Sequence, residues 1–128
     1  MKISLIAKAV SSASIKSLPK VEGKKERKIT VKLDRKLFGN QKKSNVFRAS
    51  YTAVISVEGA AQVEITYNFD FECDVDFSQE VAESDAVNVK APTYAYPYIK
   101  SYAENLISMS GLGSYTLPYF DFFESQLE

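Results

Sequence analysis

Two-residue alternation of apolar and polar positions governs the middle of the chain. Val63, Ile65, Tyr67, Phe69, Phe71, Cys73, Val75 and Phe77 alternate with Glu64, Thr66, Asn68, Asp70, Glu72, Asp74 and Asp76. In a strand the first set forms one apolar face and the second an acidic one. At about 3.3 Å per residue such a run would extend on the order of 50 Å, so a bulge or bend near Asn68–Asp70, or a sheet continued across subunits, is predicted. Just before it, Phe47, Ala49, Tyr51, Ala53, Ile55 and Val57 share a face against Arg48, Ser50, Thr52, Val54 and Ser56, and Glu58-Gly59-Ala60-Ala61 supplies a short hairpin turn between the two strands. Upstream, Ile29, Val31 and Leu33 lie on one face of a further strand, and Ile3, Leu5, Ala7 and Ala9 alternate with Ser4, Ile6, Lys8 and Val10 in the first. The connection Leu18-Pro19-Lys20-Val21-Glu22-Gly23-Lys24-Lys25-Glu26 is too long and charged for a tight turn and reads as a crossover.

Past Phe77 the pattern changes. Ser78–Lys90 is polar and acidic, Ala91-Pro92-Thr93 reads as a breaker, and Pro97 suits an early helical position, where its missing N–H costs nothing. A helix is predicted from about Tyr96 to Ser110, with Tyr98, Tyr102, Leu106 and Met109 along one stripe, Lys100 and Glu104 paired at i,i+4, and Gly111 and Gly113 at its end. After Leu117-Pro118, the aromatic-rich run Tyr119–Leu127 predicts a short second helix that must dock on something. The fold class expected is therefore α+β: a four-stranded antiparallel sheet with a crossover after the first strand, then one long and one short C-terminal helix, all in a single domain spanning 1–128.

Composition removes most chemistry. The 128 residues contain no histidine and one cysteine, Cys73, which excludes Ser-His-Asp and Cys-His catalysis, an internal disulfide and thiolate or HExxH metal sites. No cofactor and no metal are expected, and Lys100 with Glu104 reads as a helix salt pair rather than as catalytic machinery, so the chain is expected not to be an enzyme. The acidic face from Asp70 to Asp76 cannot wrap a calcium ion, because ligands spaced every second residue along a straight strand diverge. No run approaches the length of a membrane span, and the N-terminal apolar segment is interrupted by Lys8, so no membrane insertion and a cytoplasmic location are expected. The net charge of zero hides a division: residues 1–48 hold 14 Lys and Arg against 3 acids, and residues 49–128 hold 2 against 13. Such halves satisfy each other within one domain or between subunits.

The order of elements, together with Tyr96-Pro97-Tyr98-Ile99-Lys100-Ser101-Tyr102, with Leu117-Pro118 ahead of Phe120-Asp121, and with Val31-Lys32-Leu33-Asp34, resembles the SecB family of chaperones. The resemblance implies a homotetramer, a dimer of dimers, that holds unfolded client polypeptide in apolar grooves. On that reading Val31, Leu33, Phe120, Phe123 and Leu127 border the client groove, and the helix carrying Tyr98, Tyr102, Leu106 and Met109 forms the oligomer interface. Export members of the family present acidic residues near the first strand to the SecA motor. Here that region reads Ser11-Ser12-Ala13-Ser14-Ile15-Lys16, which leaves Asp70, Glu72, Asp74 and Asp76 as the candidate acidic partner face. The Tyr96-Pro97-Tyr98-Ile99 spelling is equally similar to SecB-like chaperones of toxin–antitoxin systems, so precursor proteins and an antitoxin both stand as clients. The alternative from a different class is a nucleic-acid-binding module that uses Lys24, Lys25, Arg27, Lys28, Lys42 and Lys43. With only Phe38 as an aromatic platform among them, no nucleic acid partner is expected.

Overall fold

The computed structural model describes residues 1–23 and 27–125. Four long strands, β1 (Ile3–Ser17), β2 (Ile29–Gly39), β3 (Val46–Val57) and β4 (Ala61–Cys73), form one antiparallel sheet in the order β1-β4-β3-β2. The expected crossover is present: β1 and β2 occupy opposite edges, and the chain passes between them at the end of the sheet where β3 turns into β4. There Leu18 N–H donates to the Ala60 carbonyl and Glu58 N–H to that of Lys28. Gly59 makes the hairpin turn at φ 71°, a conformation that favours glycine, and the Arg27 guanidinium donates to the Glu58 carbonyl at 2.9 Å.

Alternation sorts the sheet into two faces. Phe47, Ala49, Tyr51, Ala53, Ile55 and Val57 of β3 stand beside Phe71, Phe69, Tyr67, Ile65, Val63 and Ala61 of β4, and all are buried. The opposite face is polar, with Thr52 and Thr66 hydroxyls 3.2 Å apart and Arg48 clasping Asp70. β4 ends at Cys73 rather than Phe77, and the expected irregularity near Asn68–Asp70 falls on its neighbour: β1 carries an extra residue between Leu5 and Ala7 and another between Val10 and Ser12. Each bulge reverses the phase of the strand. Lys8 and Val10, not Ala7 and Ala9, therefore share the inner side with Phe69 and Tyr67, and the Lys8 ammonium lies 4.8 Å from the centre of the Tyr98 ring.

A helical layer covers the inner face. Phe77 stacks on Phe47 at 5.0 Å, Ser78 caps the one-turn helix α1 (Gln79–Ala82) through a bond from Val81 N–H, and a π-helical turn, Ala86–Lys90, runs directly into α2 (Ala91–Met109). The helix thus begins five residues before the expected start at Tyr96. Ala91-Pro92-Thr93 opens it instead of breaking it, because Pro92 lies in the first turn, where no intrahelical donor is needed. Ala91, Ala95, Ile99, Ala103 and Ile107 follow one another along the buried face, and the alanines let the helix approach the large side chains of the sheet. At the other end Gly111 N–H bonds to Ser108 and Leu112 N–H to Ile107, with Gly111 at φ 76°, a Schellman stop.

Candidate functional site

Edge strand β2 bears a row of side chains on its inner face: Ile29, Val31, Leu33, Arg35 and Leu37, paired with Val57, Ile55, Ala53, Tyr51 and Ala49 of β3. Where their β3 partners are fully buried, these five are only partly so, because β2 is an edge of the sheet and no strand among the described residues lies beyond it. Val31 and Leu33, two expected groove residues, thus present apolar surface at the margin of the core. Further along, Arg35, Leu37, Phe77, Ala82, Glu83 and Asn88 line an open cleft of about 610 Å³ between β2 and the segment around α1. The Arg35 Nη1 donates to the Val87 carbonyl at 3.3 Å and to Asn88 Oδ1. Burial lowers the pKa of its guanidinium, while the neighbouring Tyr51 acts in the other direction. Burial likewise drives the Tyr51 phenol far above its ordinary range, with Arg35 partly opposing it, and the Tyr51 hydroxyl is buried without a hydrogen-bond partner among the described residues.

The two flanks of α2 do different work, as its 3.6-residue period requires. On one flank Tyr96, Lys100 and Glu104 hold the returning C-terminal segment. Glu104 Oε2 accepts from Leu117 N–H at 2.7 Å and from the Lys100 ammonium at 2.8 Å, Lys100 sits 4.7 Å from the Tyr119 ring, and the Tyr96 hydroxyl donates to the Pro118 carbonyl at 2.6 Å. The Glu104 carboxylate raises the pKa of Lys100, and burial pushes that of Tyr96 up to about 12, with Glu104 adding to it. The segment therefore runs antiparallel to α2. Phe120 packs edge-on against Tyr96 at 5.0 Å and Phe122 is buried behind it, whereas Phe123 is 71% exposed. Instead of the expected helical start at Tyr119, this stretch has no regular secondary structure as far as Asp121 and then turns, with Ser125 N–H bonded to the Asp121 carbonyl. Leu127, the remaining expected groove residue, lies outside the described residues.

The other flank faces β1 and is open. Tyr98, Tyr102, Leu106 and Met109 line one cleft of about 500 Å³ together with Tyr67. Tyr94, Pro97 and Tyr98 border a second, of about 430 Å³, with Ile3 and Leu5 of β1. The four residues expected at an oligomer interface are thus brought together on one surface, and Met109 is 86% exposed. The acidic residues have separate settings. Asp70 is clasped by Arg48 through Nε and Nη2, Asp74 accepts from Lys2 N–H, Asp76 accepts from the Ser44 hydroxyl, and Glu72 is exposed on the outer face. Among the described residues no group of His, Cys, Asp and Glu could hold a metal ion, and no helix is long and apolar enough to cross a membrane. Of the basic residues, Lys24 and Lys25 lie outside the described residues, and Lys42 and Lys43 fold around Asn40 through their backbone N–H groups.

Sequence reading missed Arg35, Phe122 and Tyr96 as site residues. Arg35 was legible, since it sits two positions beyond Leu33 in the alternation. The burial of Phe122 rather than Phe123 was not, because a helix and an irregular segment orient neighbouring side chains differently.

No family model matches the chain, and no curated protein matches it. Among solved structures, the chain resembles the Mycobacterium tuberculosis SecB-like chaperone Rv1957 in complex with a ChAD peptide from the Rv1956 HigA1 antitoxin, with a TM-score of 0.76, 12% identity, and coverage of 93% of this chain and 91% of that one. It also resembles a Streptococcus agalactiae protein of unknown function, with a TM-score of 0.50, 11% identity, and coverage of 93% and 98%. The fold is SecB-like.

Proposed function

We propose that this protein is a non-catalytic holdase, a SecB-like chaperone that binds unfolded or non-native polypeptide along the inner row of β2 and the aromatic C-terminal segment. The observation that carries this reading is the part-exposed apolar row Ile29, Val31, Leu33 and Leu37 on an edge strand, within a fold shared with a peptide-bound chaperone. Such a surface offers area without a reactive group. On about 25 cal/mol per Å², covering roughly 400 Å² of client apolar surface yields about 10 kcal/mol before the client's ordering is subtracted. Repetition of the site in a homotetramer would lengthen the hold by avidity.

Of the two client classes, a dedicated segment such as that of an antitoxin fits better than precursors passed to the SecA motor. The neighbour in the comparison holds an antitoxin peptide, and Asp70, part of the candidate motor-facing surface, is already spent on Arg48. A cytoplasmic setting belongs to the same reading. The experiment is light scattering from a chemically denatured test protein diluted with and without this chain, whose assembly mass is first determined by static scattering. Suppression of aggregation near one client per tetramer is expected. Unchanged aggregation with a folded chain would sink the proposal.

A further inference from the structure

We propose that Arg35 is an anion-recognising element within the groove, so that the clients held here carry an Asp or Glu side chain inside an otherwise apolar extended segment. This rests on the holdase reading and names the chemistry its clients must present.

Position is the first argument. Arg35 occupies the inner row of β2 between Leu33 and Leu37, with apolar neighbours about 7 Å away on either side along the strand. A wholly apolar groove would place a leucine or valine there. An arginine held among apolar groups is costly unless a partner meets its charge.

The second argument is the state of its hydrogen bonds. A guanidinium presents five N–H donors. Nη1 is spent on two neutral acceptors, the Val87 carbonyl and Asn88 Oδ1, and these bonds brace the side chain against the π-helical turn. No described residue accepts from Nε or Nη2, and no described carboxylate forms an ion pair with Arg35. What that edge is suited to is shown by Arg48, whose Nε and Nη2 meet the two carboxylate oxygens of Asp70 at 2.7 and 3.2 Å. The same fork on Arg35 matches a carboxylate from outside the chain.

Third, the surroundings admit such a group. Arg35 lines an open cleft of about 610 Å³ whose other walls include Leu37, Phe77 and Ala82, so a client can lay apolar side chains on either side of the charge. Glu83 also lines this cleft, but its carboxylate accepts from Gln79 Nε2 at 3.0 Å, one turn back in α1.

The test needs two fluorescein-labelled peptides of one extended apolar sequence, differing only in a central Glu or Gln, titrated by fluorescence anisotropy with the full chain. The wild-type protein should bind the Glu peptide on the order of tenfold more tightly, with a gap that shrinks as salt rises. Arg35→Met should erase the gap between the two peptides, and Arg35→Lys should restore part of it. Equal binding of both peptides by the wild type would overturn the role of Arg35 and leave the holdase standing. Failure of both peptides to bind would remove both. Because the wild-type comparison decides by itself, the test survives a variant that fails to fold.

Discussion

Two buried tyrosines on the inner side of the sheet and helix show how much depends on a single hydroxyl partner. Tyr96 donates to the Pro118 carbonyl at 2.6 Å, while the Tyr51 hydroxyl is buried with no partner among the described residues. An unpaired buried polar group costs about 1–3 kcal/mol, so Tyr51→Phe should stabilise the protein by about 1 kcal/mol, read as a higher urea midpoint at unchanged slope. A lower midpoint would mean that the hydroxyl has a partner in solution. Both phenols are also held neutral by burial, above their ordinary pKa. The sign follows directly. A tyrosine in the unfolded chain loses its proton near pH 10, while folded Tyr96 keeps its own up to about 12. Its contribution to stability is therefore complete below pH 10 and is lost as pH rises from there through about 12. Urea midpoints measured across that window should fall, and fall less steeply in Tyr96→Phe. Alternation made it legible that Tyr51 faces inward. Whether its hydroxyl finds an acceptor depends on the covering layer, which no local pattern specifies.

At the scale of elements, sequence patterns gave the four strands, their faces and the crossover, because period-two alternation in a sheet with one buried face is strongly constraining. Besides the end of β4 and the C-terminal helix, they misplaced two things, each for a physical reason. β1 carries two bulges, which cost no hydrophobic residue and so leave no mark on composition, yet they exchange Ala7 and Ala9 for Lys8 and Val10 on the inner side. The start of α2 was assigned to the wrong proline: Pro92 stands in the first turn and Pro97 in the interior, where it is exposed. An interior proline forfeits its bond to the carbonyl four residues back and crowds it, here the carbonyl of Thr93. The segment ahead of α2, Ala86–Lys90, is π-helical, and the Thr93 hydroxyl donates back to the Val89 carbonyl at 2.6 Å. Pro97→Ala should restore a regular ladder and stabilise the protein by about 1 kcal/mol or more, seen as a raised thermal midpoint. A fall would indicate that the proline's bend is needed to seat the helix on β4.

For the whole molecule, the charge division along the chain resolves into topology: acidic β4 lies between β1 and β3, and Arg48 from the basic half meets Asp70 from the acidic half. Assembly, by contrast, is an expectation from family resemblance alone, since one chain's pattern does not say which exposed apolar surface another copy would cover. The structure leaves one such surface in plain view, the flank of α2 where Tyr94 is 46% and Tyr98 42% exposed beside Tyr102 and Met109. A monomer would keep these rings in water, and contiguous apolar patches of this kind mark interaction surfaces. If two copies join through this flank about a two-fold axis, the same patch contributes from both sides, so a charge placed on it is buried twice and lies near its own repulsive copy. The double substitution Tyr98→Glu with Tyr102→Glu should therefore halve the mass seen by static light scattering at a given concentration, while the circular dichroism of the sheet and helix persists. Retention of the parent mass in a folded variant would show that α2 does not join the copies, and would direct attention to the free edge of β1.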